Sequence, residues 1–87
     1  MDSVEMFKAK TMTKLVNLER ELKEKYADRQ ERIDYIVSLL MAKLSTLQPF
    51  GLPDFIFTIY LASKEFPEFK ELMPSLEEME ELMKLSM

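Results

Sequence analysis

The chain has 87 residues, 47% hydrophobic and 32% charged, with a formal net charge of −4 and neither cysteine nor histidine. That composition belongs to one folded domain over residues 1–87, a length that leaves no room for a second core. It excludes disulfides, thiol nucleophiles, thiolate or imidazole metal sites, and the usual general base at neutral pH.

Gly51 is the only glycine, and there are four prolines. Sheet-rich folds need glycine for tight hairpin turns, so the expectation is an all-α fold. Its elements should be two long antiparallel helices, a third apolar helix and a short acidic C-terminal helix, packed as a small bundle of four.

Asp2 with Glu5, or Ser3 alone, can accept the free N–H groups of a first helical turn. Val4, Phe7, Thr11, Leu15, Leu18, Leu22 and Tyr26 follow at three- and four-residue steps and make one apolar stripe. Glu19–Lys23 and Glu21–Lys25 are i,i+4 pairs for the wet side. The stripe thins between Lys8 and Thr13, which predicts a more exposed stretch there.

Asp28 followed by Glu31 reads as a second capping signature and predicts a turn at Ala27–Asp28. Ile33, Val37, Leu40, Leu44 and Leu47 then repeat, with Ile36 widening the stripe. Leu39 and Met41 fall off that face, so this second helix is apolar on more than one side and is predicted to be the central element. Gln48–Pro49 ends it, because the residue before proline is pushed out of helical conformation.

Pro49–Pro53 is a stiff connector, and Pro53–Asp54 suits the first turn of a third helix reaching about Phe66, ahead of Pro67. Residues 55–61 are also rich in strand-favouring types. No partner strand exists elsewhere in the sequence, so helix is the reading. Glu68–Met73 fits one further turn, of 3₁₀ type. Ser75–Glu78 is a capping box opening a last helix, with Leu76, Met79, Leu82 and Met83 on one side and Glu77, Glu78, Glu80 and Glu81 on the other. Its like charges and short length mean that it orders only by docking its apolar side on something.

Five of the six phenylalanines, with Tyr60, lie between Phe50 and Phe69. A chain this short buries only roughly 60–65% of its unfolded surface. Some of those rings are core, and the surplus reads as a docking surface. The candidate partner-binding residues are Phe50, Leu52, Phe55, Phe57, Phe66 and Phe69, joined by Met79, Leu82 and Met83 of the last helix.

The expected function is a non-catalytic helical protein-interaction module, an accessory or adaptor subunit of a larger cytoplasmic complex. Its partner would be another protein or a second copy of itself. No catalytic constellation, cofactor motif or metal-ligand spacing is present. Asp34 beside Tyr35 and Asp54 among aromatics are isolated carboxylates, and Glu77–Glu81 lacks the spaced oxygens and turn glycine of a calcium loop. The cytoplasmic expectation rests on an N-terminus, MDSVEMFKAK, with no apolar signal region. The longest apolar run, Phe55–Ala62, is far short of the ~20 residues of a membrane span.

The alternative is a homodimeric nucleic-acid-associated regulator touching phosphates through Lys8, Lys10 and Lys14. Charge placement limits that option. Residues 1–43 carry nine basic and eight acidic side chains, but residues 44–87 carry three and eight, and phosphate neutralisation dominates duplex affinity.

Overall fold

A computed structural model describes residues 2–84. Four α-helices run along them: α1, Ser3–Lys25; α2, Gln30–Ser45; α3, Leu52–Glu65; and α4, Leu76–Lys84. Three short 3₁₀ turns, Ala27–Arg29, Pro49–Gly51 and Pro67–Leu72, join them. The described residues contain no strand. Residues 55–61 are helical despite their strand-favouring types, because a helix pairs its own backbone groups and a lone strand cannot.

Polar contacts between the helices mark their directions. Lys23 pairs with Asp34 beside the first turn, and at the far end the Lys8 Nζ donates to the Ser45 carbonyl at 3.4 Å. α1 and α2 are therefore antiparallel. Arg32 at the start of α2 donates to both carboxylate oxygens of Glu65 at the end of α3, each at 2.7 Å. Lys43 near the end of α2 meets Asp54 at the start of α3, also at 2.7 Å. α3 therefore runs back along α2, and the first three helices alternate in direction.

The chain next turns at Pro67–Leu72 beside the end of α1, where Lys25 reaches Glu68 at 2.8 Å. It then returns along α1, so that Glu78 of α4 meets Lys10 at 3.3 Å. α4 ends against the opposite pole of the bundle, where Leu82 closes on Val4, Leu47 and Leu52.

The apolar stripes form one core. Leu15, Leu18 and Leu22 of α1 meet Ile33, Val37, Leu40 and Leu44 of α2, and α3 closes over them with Phe55 and Ile59, followed by Phe66 just past its end. Burying each such side chain contributes about 1.5–3 kcal/mol of transfer free energy. The two poles of the bundle are locked by edge-to-face aromatic pairs. Phe7 meets Phe55 at one end, with centroids 6.3 Å apart, and Tyr26 meets Phe66 at 5.0 Å at the other.

Three local expectations change. The stretch of α1 from Lys8 to Thr13 is no more exposed than its neighbours: Thr11 is buried, Lys8 and Met12 are half-buried, and Lys10 meets Glu78 of α4. Asp28 does not cap α2, since it sits inside the 3₁₀ turn and no side chain caps that helix. Gln30 instead donates from Nε2 to the Lys23 carbonyl at 3.3 Å, satisfying one of the last free carbonyls of α1. Lys25 reaches across to Glu68 in place of Glu21 within its own helix.

The caps at Asp2 and Ser75 do form. Asp2 Oδ1 accepts from the Glu5 N–H at 2.8 Å. Ser75 and Glu78 exchange hydrogen bonds of 2.9 and 3.0 Å, which is the reciprocal capping box.

Candidate docking surface

Helical geometry sorts the aromatic cluster into two sets. Leu52, Phe55, Ile59, Ala62 and Phe66 recur at three- and four-residue steps on the inner face of α3, and all are buried. Of the nine candidate docking residues, Leu52, Phe55, Phe66, Phe69 and Leu82 are core and offer no surface to a partner. The reason is direct. Phe66 and Phe69 fill the pole beneath the Pro67–Leu72 turn, edge to face at 6.1 Å, and Leu82 plugs the opposite pole.

The other four lie outward. Phe50, on the Pro49–Gly51 turn, is 81% exposed. Phe57 and Met83 are also exposed, and Met79 is half-buried against the core.

The outer face of α3 gathers the exposed residues into a surface. Phe57, Tyr60 and Leu61 remain 58%, 45% and 47% exposed on a helix whose other side is fully covered. Phe57 and Tyr60 stack one turn apart, with centroids 6.5 Å apart and planes 26° from parallel. The Lys64 ammonium lies 5.0 Å from the Tyr60 ring centroid, a cation–π contact that fixes the ring's outer side.

This face has two flanks. Toward α2, exposed Leu39 and Tyr35 continue it along the interhelical seam, between the Arg32–Glu65 and Lys43–Asp54 pairs. Toward α4, an open groove is lined by Pro53, Ile56 and Phe57 on one wall and Met73, Met79 and Met83 on the other. Reading residue types alone missed Tyr35, Leu39, Ile56, Leu61 and Met73. The signal for Leu61 was present, since it lies one turn from Phe57 on the side of α3 opposite Leu52, Phe55 and Ile59. Leu39 was marked by its place off the α2 stripe.

Charged groups frame the surface in ion pairs and caps. The Arg32 guanidinium holds the Glu65 carboxyl below its ordinary value, with partial burial opposing and Arg29 adding to the effect. Lys25 does the same for Glu68, assisted by the Tyr26 hydroxyl at 3.2 Å. Glu78 is held down by the Ser75 N–H first and then by Lys10. Asp34 and Asp54, the two isolated carboxylates of the sequence, are paired with Lys23 and Lys43. Among the described residues, no three acidic side chains converge as metal ligands would.

The three N-terminal lysines do not make one basic face. At ~100° per residue, Lys8 lies about 160° around α1 from Lys10. Lys8 is half-buried against the Ser45 carbonyl, and Lys10 is paired with Glu78. Of these three lysines, Lys14 alone is exposed without an ion pair among the described residues. No helix among them is long and apolar enough to cross a membrane. No protein-family model, curated protein or solved structure matches the chain.

Proposed function

We propose that the protein is a non-catalytic helical interaction module, an accessory or adaptor subunit that joins a larger cytoplasmic assembly by burying the outer face of α3. One observation carries this reading. α3 is apolar around nearly its whole circumference, yet the half bearing Phe57, Tyr60 and Leu61 is left in water. A helix apolar all round is ordinarily covered on all sides. Exposed aromatic and methionine side chains are also the types enriched in interface cores. The groove supports the same reading, because methionine adapts its shape to irregular partners. The carboxylates bordering the surface, Asp54 and Glu65, are held in ion pairs, which favours binding over acid–base chemistry.

The test is selective loss of association. Affinity-tagged protein from cells that express it should carry a stoichiometric companion chain, or a second copy. Phe57→Ser and Leu61→Ser should each weaken that association tenfold or more, in line with the ~2 kcal/mol typical of interface hot spots. The melting temperature of the isolated chain should hardly change. Association that survives both substitutions would remove the reading.

A further inference from the structure

We infer that the occupant of the outer α3 face is a second copy of this chain, docked antiparallel through a two-fold axis near the middle of the helix. This rests on the docking reading above and names the partner. Asp54, Phe57, Leu61 and Lys64 follow one another at steps of three, four and three residues, the spacing of a helix–helix seam. The two central positions of that seam are apolar and exposed, and its two ends carry opposite charges.

Laying the same seam against itself in the antiparallel sense sets Phe57 against Leu61 of the second copy, and Asp54 against its Lys64. A two-fold axis makes both contacts twice. The parallel sense would set Asp54 against Asp54 and Lys64 against Lys64, so charge selects the antiparallel arrangement. It also opposes the two helix dipoles favourably. Asp54 remains mostly exposed although it pairs with Lys43, and so can accept a second ammonium. Lys64 faces only the Tyr60 ring.

The area is adequate. The exposed parts of Phe57, Tyr60, Leu61, Leu39 and Tyr35 come to roughly 500 Å² per copy, given that a whole aromatic side chain presents ~150–250 Å². A standard interface buries ~800 Å² per partner, a little over half of it apolar, so the flanking polar side chains supply the remainder.

The charge pattern gives a test that misfolding cannot imitate. Light scattering at about 100 µM, an ample concentration for a micromolar dimer, should give twice the monomer mass. Lys64→Glu should weaken the dimer at least tenfold by placing Glu against Asp54 at both contacts, and Asp54→Lys should do the same with two lysines. Mixing the two variants in equal amounts should restore a dimer, since both contacts then pair opposite charges. Circular dichroism should show each variant folded.

A dimer indifferent to Phe57→Ser and to both charge variants would overturn the proposal, as would failure of the mixture to associate. A monomer that binds a hydrophobic dye, and loses that binding in Phe57→Ser, would overturn the second copy while leaving the surface for another partner. A monomer that binds no dye would overturn both readings.

Discussion

Phe55 and Phe57 stand two residues apart on α3 and meet opposite surroundings. Phe55 is fully buried with its ring edge-on to Phe7, whereas Phe57 is 58% exposed and touches Tyr60. Truncating each to alanine therefore separates core from surface. Phe55→Ala should cost ~3–5 kcal/mol of folding stability, because it leaves a cavity that the neighbouring rings cannot fill. Phe57→Ala should stay within about 0.5 kcal/mol in dilute protein, as exposed substitutions do. Denaturant unfolding of the two variants decides the matter. Equal losses would mean that the inner and outer faces of α3 are wrongly assigned.

α4 is the element whose fate depends most on its neighbours. Nine residues crowded with glutamates are too few to hold a helix alone. One local device and two tertiary contacts compensate: the Ser75–Glu78 capping box, the Lys10–Glu78 pair and the burial of Leu82. Of the apolar side expected to seek a partner, Leu82 and part of Met79 find the chain's own core, whereas Leu76 and Met83 stay exposed. Ser75→Ala should cost ~1 kcal/mol through loss of the cap. Leu82→Ala should cost ~2–5 kcal/mol and uncover Leu47 and Leu52 beneath it. Thermal melts followed by circular dichroism read both effects. A Leu82→Ala protein with an unchanged melt would show α4 detached from the bundle.

Across the whole molecule, three glutamates tie distant parts of the chain together: Glu65 to α2, Glu68 to the end of α1, and Glu78 to its beginning. All three carboxyls lie below the ordinary value of 4.5. A carboxyl depressed in the folded state binds fewer protons there than in the unfolded chain. Its contribution is therefore present above the unfolded value of 4.5, begins to shrink as the pH nears that value, and is lost as the pH falls through the depressed one. The melting temperature should stay level from neutral pH to about pH 5 and then decline. Each pair is largely exposed and screened by solvent, so the decline should be shallow at first. Combining Glu65→Gln with Glu68→Gln should lower the neutral melting temperature and flatten the acid limb. An acid limb unchanged in slope would show that other groups govern it.

Periodicity, prolines and caps sufficed for the elements themselves. The single glycine excluded hairpins, Pro49 and Pro67 bounded α3, and the reciprocal Ser75–Glu78 pattern placed the start of α4. These features act within a few residues along the chain, so their physics is local and legible. The sorting of the aromatic cluster was only half legible. The step from Phe55 to Ile59, Ala62 and Phe66 already implied one inner face, and Phe57 and Leu61 fell opposite it. What no local rule contained was which faces other elements would cover. Phe66 and Phe69 became core because the Pro67–Leu72 turn folds against Tyr26, more than forty residues earlier. Lys10 lost its freedom because α4 returns along α1 and brings Glu78 to it. Coverage depends on contacts between residues far apart in the chain, and each such contact is a balance of apolar burial against the entropy of closing a loop. The sequence by itself determined the helices, their ends and their apolar faces. Only the tertiary structure decided which of those faces were covered, and so left Phe57, Tyr60 and Leu61 exposed.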